Sequence, residues 1–244
     1  MTTTTQPLMA HLVLGYPTMD ESIRTAQAYV AAGCAILELQ IPFSHPTADG
    51  PVITHACQEA VEKNHTSVSD CIEAIQLLRN QFPEQEIMVM TYLNRLFTHG
   101  VAAFAEAMKE LGIQHLIVPD LPVDSPLATK VQATGMKLVP VIAANIQLER
   151  LERLLNQSFD FFYLMSDFKI TGSAFSLNPR LHQVIANIRA TRPEARIGIG
   201  FGISTAEQIK LVTSTADIAI IGSSLIKAQQ EGRLEAYLEE ITGR

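Results

Sequence analysis

Ile197-Gly198-Ile199-Gly200-Phe201-Gly202-Ile203 is a short apolar run that ends in glycines and leads, through Ser204 and Glu207, into a helix with a capping-box signature. Glycines between a strand and a helix N-terminus let backbone N–H groups approach an anion closely. Further along, Ile220-Ile221-Gly222-Ser223-Ser224 repeats the arrangement. Either segment alone is compatible with an ordinary tight turn. Together they match the phosphate site that barrels build after strands seven and eight.

Working back from these turns, short apolar runs alternate with helical patterns over the whole chain, eight of each. The strand candidates are His11–Leu14, Ala35–Gln40, Ile87–Tyr92, His115–Pro119, Lys137–Val141, Phe161–Met165, Arg196–Ile199 and Asp217–Ile221. Such alternation implies a parallel sheet. The 244 residues are close to the ~250 of one (β/α)₈ barrel. An open doubly wound sheet usually carries a glycine fingerprint after strand one, and here that turn reads Leu14-Gly15-Tyr16-Pro17. The expectation is therefore an α/β fold, a single (β/α)₈ TIM-barrel domain over residues 1–244 with no linker. Long loops are expected after strand two, Phe43–Thr54, and after strand six, Ser166–Leu177. The N-terminus is short, with only about ten residues before strand one.

Composition narrows the function. A net charge of −7 and the absence of Trp argue against a nucleic-acid surface. No apolar stretch reaches the ~18 residues of a membrane span, and the start lacks a signal-peptide pattern, so a cytoplasmic protein is expected. Cys34, Cys57 and Cys71 are widely spaced, pointing to reduced thiols, most of them buried, rather than disulfides or zinc. Without a metal-ligand cluster, or a Lys at a strand C-terminus, neither metal-assisted nor imine chemistry is expected and no cofactor is implied. The His residues lack any triad-like context, and most read as surface or packing residues.

Strand two carries the reactive candidate. In Ala35-Ile-Leu-Glu-Leu-Gln-Ile41, strand periodicity puts Ile36, Glu38 and Gln40 on one face and Leu37, Leu39 and Ile41 on the other. The apolar face packs on helices, so Glu38 points into the barrel near its mouth, a position suited to acid–base work. A structural Glu paired with a buried Arg or Lys is the alternative. Asp49, in a Pro-bracketed loop, is either a second carboxylate over the mouth or ordinary Asp-Gly turn chemistry. Tyr92 and Tyr163, at the ends of strands three and six, suit an aromatic ligand or plain packing equally.

The run from Leu37 to Ile53, reading LELxIPFSxPxADGPVI, resembles the tryptophan synthase alpha subunit family, as do LIVPDLP at Leu116–Pro122, ITG at Ile170–Gly172, GFGIS at Gly200–Ser204 and IIGSS at Ile220–Ser224. The motifs occur in family order along nearly the whole chain. The resemblance implies cofactor-free retro-aldol cleavage of indole-3-glycerol phosphate to indole and glyceraldehyde 3-phosphate, alongside a beta subunit that carries pyridoxal phosphate. By position, Glu38 matches the acid–base residue that protonates indole C3 and handles the glycerol hydroxyl proton. Asp49 matches the acceptor of the indole N–H. Thr171 matches a loop residue that contacts Asp49, Gly172, Phe201, Gly202, Gly222 and Ser223 match phosphate contacts, and Tyr163 and Tyr92 match pocket positions.

The chain also departs from the family pattern. Gln40 stands where the family has Gly, and is expected to project into the mouth. In loop six Asp167 stands for Arg, followed by Phe168-Lys169 in place of a small pair. His45 and Tyr16 replace Asp residues, and the helix that plugs the bottom of the family's barrel is nearly missing. Two alternatives follow: a regulatory subunit of low turnover that activates a beta partner, and a related barrel with a different phosphorylated substrate.

Overall fold

The structure is a computed structural model that describes residues 6–165, 169–171, 174–176, 178–200 and 202–243. Its strands are β1 (Gln6–Val13), β2 (Cys34–Gln40), β3 (Glu86–Met90), β4 (His115–Ile117), β5 (Lys137–Leu138), β6 (Val141–Ala143), β7 (Phe161–Met165), β8 (Lys169–Thr171), β9 (Ala174–Ser176), β10 (Arg196–Gly200) and β11 (Ile218–Ile221). Nine form one parallel sheet in the order β5-β4-β3-β2-β1-β11-β10-β7-β6, and β8 pairs with β9 as an antiparallel hairpin.

The two ends of that order, β5 and β6, are consecutive in the chain and separated only by Val139 and Pro140. They are halves of the expected fifth strand. Proline has no N–H to give to a ladder, so the run is interrupted there. Across the break, Val139 N donates to Leu116 O on β4, and Tyr163 N on β7 donates to Pro140 O. The sheet thus comes full circle as the expected TIM-like barrel, built from eight strands of which one is split.

The alternation read from strand two holds. Ile36 joins Met9, Met88, Phe161, Ile218 and Ile220 in the apolar filling of the bore. Leu37, Leu39 and Ile41 join the outer core between strands and helices. Each such Leu or Ile contributes roughly 1.5–3 kcal/mol by leaving water.

At the N-terminal end of the bore, Arg196 from the start of β10 reaches across to Glu86 at the start of β3. Nη1 lies 2.7 Å from Oε2 and Nη2 2.5 Å from Oε1. The guanidinium also sits over the Phe161 ring, 5.3 Å from its centroid. This bidentate pair caps the bottom of the bore.

Local boundaries differ from expectation in four places. Strand one begins at Gln6 rather than His11. The loop after strand two stops at Gly50, because Pro51, with its fixed φ, opens the helix Pro51–Glu62. The capping box belongs to Thr205 and Gln208 rather than Ser204 and Glu207, although Ser204 N also donates to Gln208 Oε1. Within the long loop after strand six lies the β8–β9 hairpin. Cys34, Cys57 and Cys71 are buried and free. Among the described residues no helix is long and apolar enough to cross a membrane.

Candidate active site

Parallel pairing of β1 with β2 sets His11 directly beside Glu38. Both lie on the bore-facing side, two residues closer to the mouth than Met9 and Ile36, and they are 3% and 1% exposed. His11 Nδ1 stands 3.3 Å from Glu38 Oε2. Among the described residues no hydrogen-bond partner meets either Glu38 oxygen or His11 Nε2. A buried carboxylate is costly unless its lone pairs are satisfied, so these atoms face a position meant for something else. Burial pulls the His11 imidazole toward neutrality, but Glu38, and after it Asp49 and Gln40, outweigh this and raise its pKa.

Asp49 faces the same space from the loop after β2. Its Oδ2 accepts from Gln40 Nε2 at 2.8 Å and from Tyr92 OH at 2.8 Å. Tyr92 OH is itself held by Ala48 N at 3.1 Å. Both bonds fall on one oxygen, and Asp49 lines the pocket. Burial raises the Asp49 pKa, against the lowering effects of His11, Gln40 and Tyr92.

The two glycine turns border the same cavity. Gly202 has φ +77°, a conformation that favours glycine. Ser224 Oγ donates to Ile203 O at 3.1 Å and ties the turns together. The helix Ser223–Gln230 starts directly from Gly222 with no side chain capping its first turn, so its N-terminal amides are available to an anion. Gly198 and Gly200 serve another purpose. A Cβ on Gly198 would lie 2.8 Å from both Ile220 and Phe161, and one on Gly200 would lie 2.8 Å from Tyr163 OH. They make room for rings in the bore.

His11, Glu38, Asp49, Tyr163, Gly202, Gly222 and Ser223 line one cavity at the barrel mouth. Its lining combines two carboxylates with the uncapped start of a helix. The tryptophan synthase alpha chain family model matches residues 1–241. The chain belongs to that family.

Similar members of the tryptophan synthase alpha chain family include the Syntrophotalea carbinolica chain, 35% identical over 96% of this chain and 93% of its own length. The Methanosarcina barkeri chain is 32% identical over 96% and 89%. A Mycobacterium tuberculosis tryptophan synthase structure superposes with a TM-score of 0.84 at 28% identity, covering 98% of this chain and 92% of that one. As a member of that family, the chain is an enzyme of tryptophan biosynthesis.

Of the residues singled out by sequence, Glu38, Asp49, Tyr163, Gly202, Gly222 and Ser223 meet at this cavity. Tyr92 is fully buried behind it and reaches the site through Asp49 and Ala48. Gln40 does not project freely into the mouth; its amide is turned onto Asp49. Thr171 ends β8 opposite Ala174. Gly172 and Phe201 lie outside the described residues, as do Asp167 and Phe168. The departures from the family pattern at His45 and Tyr16 find local partners, Ser44 Oγ at 2.8 Å and Gln230 Nε2 at 2.7 Å.

His11 was missed. A strand beginning at His11 shows no alternation there, whereas extending it back to Gln6 puts Met9, His11 and Val13 on one face. That period-two pattern was the available signal.

Proposed function

We propose that this chain is a carbon–carbon lyase that cleaves indole-3-glycerol phosphate to indole and glyceraldehyde 3-phosphate without a cofactor. The observation that carries the proposal is Glu38, a buried carboxylate whose oxygens have no hydrogen-bond partner among the described residues, in the same cavity as Asp49 and two glycine turns. Glu38 delivers a proton to indole C3. Asp49 Oδ1 accepts the indole N–H and stabilises the positive charge that spreads over the ring when C3 is protonated. Gln40 and Tyr92 hold that carboxylate in place beforehand, so little reorganisation is needed as charge develops.

The phosphate is placed on the turns at Gly202 and at Gly222–Ser223, with Gly172 and Phe201 as further contacts. Tyr163 is assigned to flank the ring, and Thr171, by its family position, to contact Asp49. The same reading takes residues 1–244 as one domain and pairs the chain with a tryptophan synthase beta subunit. The test is indole release from indole-3-glycerol phosphate, measured with and without a beta subunit, for wild type and Glu38→Gln. Release by wild type and its loss in the variant are expected; no release by wild type in either condition overturns the proposal.

A further inference from the structure

We propose that His11 is a second catalytic residue: Glu38 acts as the acid toward the ring carbon, and His11 Nε2 acts as the base that takes the hydroxyl proton of the glycerol chain. This rests on the substrate proposed above. Sequence gave His11 no role, yet it is buried, lines the reacting end of the cavity and touches Glu38. The ring is oriented by its surroundings. Nδ1 faces Glu38 Oε2, while Cδ2, bonded to Nε2, lies on the side of Gly222, where an added Cβ would meet it at 3.4 Å. Nε2 has no hydrogen-bond partner among the described residues. His11 therefore stands between the carboxylate end and the phosphate end of the cavity. A three-carbon chain joining a ring near Asp49 to a phosphate at Gly222 passes this edge, and its hydroxyl next to the ring comes within reach of Nε2.

The protons balance. The pair shares one proton: when it lies on one Glu38 oxygen, His11 is neutral, with its hydrogen on Nδ1 facing the other oxygen at 3.3 Å and a lone pair on Nε2. Glu38 gives its proton to C3, forming the C–H bond. The hydroxyl then loses its proton to Nε2 as its O–H electrons form the aldehyde C=O. The electrons of the breaking carbon–carbon bond return to the ring and restore neutral indole. One proton leaves the pair and one enters it, so the pair ends as carboxylate and imidazolium with the same total. Exchange with solvent on product release restores the starting arrangement, and no oxidant or reductant is needed. The titratable groups facing His11 are Glu38 on β2, Asp49 on the following loop and Tyr163 on β7. His11 is the one imidazole among them, and the carboxylates favour its protonated form after the hydroxyl proton arrives.

Two measurements test this. The first is the pH dependence of kcat for wild type, His11→Gln and His11→Phe. The wild-type profile is expected to be bell-shaped, as an acid and a base acting together require. His11→Gln keeps a polar side chain and is expected to lose one limb and about 100-fold in kcat, with KM changed little, at the low end of what positioned proton transfer contributes. Wild-type kcat and an unchanged profile in His11→Gln, confirmed folded by circular dichroism, overturn the proposal. The second is ¹⁵N NMR titration of the His11 ring in the ligand-free protein. Its pKa is expected to fall in Glu38→Gln, because the carboxylate is what holds it up. An unshifted titration overturns the pairing on which the proposal rests. If wild type releases no indole, the substrate reading fails and the hydroxyl-base role fails with it. A shifted titration would then still support the His11–Glu38 pair as a proton-sharing unit.

Discussion

The bore of this barrel holds an acid–base pair at each end, and they are built in opposite ways. At the bottom, Arg196 and Glu86 make two parallel hydrogen bonds, stack on Phe161 and stay partly open to water. At the top, His11 and Glu38 are almost wholly buried, touch at 3.3 Å and leave three polar atoms without a hydrogen-bond partner among the described residues. A bidentate guanidinium–carboxylate pair is complete in itself and stabilises the fold. The upper pair has its complement only when a ligand is bound. A buried polar group without a partner marks where stability has been given up for function.

The sharpest way to break this contrast is Glu38→Gln. Indole release is expected to fall by about 10²–10⁴-fold, the range for positioned proton transfer, without a drop in Tm. A variant that loses stability instead would show that the top pair is structural after all. Next, Asp49→Asn is expected to lower kcat by roughly 10²–10³, as loss of a preorganised electrostatic partner does. The same variant also tests stability against pH. Because burial raises the Asp49 pKa, folded protein holds that proton more tightly than unfolded protein does. The contribution of Asp49 to stability therefore falls as pH rises from the unfolded carboxylate value of about 3.9 through the folded one, and levels above it. Urea unfolding across that range should show Asn gaining on wild type as pH rises.

At the other end, Arg196→Met is expected to cost about 1–2 kcal/mol, more than an exposed pair because two bonds and the ring contact go together. Chemical denaturation checks this, and kcat should stay at the wild-type value. The smallest effect falls on Tyr92→Phe. It removes one of two donors to Asp49, costs about 0.5–1.5 kcal/mol and moves the Asp49 pKa further up. A changed pH profile with kcat otherwise near wild type is the expected readout.

Much of this was legible in the sequence. Ile36-Leu37-Glu38-Leu39-Gln40 alternates cleanly, so the direction of Glu38 followed from strand geometry alone. The turns at Gly202 and Gly222 stood out because they recur at the end of a regular alternation. The rest depended on neighbours distant in sequence. Gly198 and Gly200 looked like part of the anion turn, yet the rings of Phe161 and Tyr163 are what require them. The pairing of His11 with Glu38 needs the β1–β2 register, which no single strand reveals. Gln40 reads as an obstruction until the loop folds back and brings Asp49 onto its amide. The break in the fifth strand was marked by Pro140, but only closure of the sheet shows that the proline lies at a junction.

That junction has a dynamic consequence. The barrel closes through a few backbone hydrogen bonds around Val139 and Pro140, so lateral opening starts most easily there. The ligand cavity straddles it, with Ile117 and Pro119 on one flank and Val141, Tyr163 and Met165 on the other. A bound molecule that touches both flanks acts as a clasp. Amide exchange at Val139, Val141 and Tyr163 should slow on binding more than exchange in β1 or β2, so that occupancy of the site is read out in the cohesion of the barrel wall.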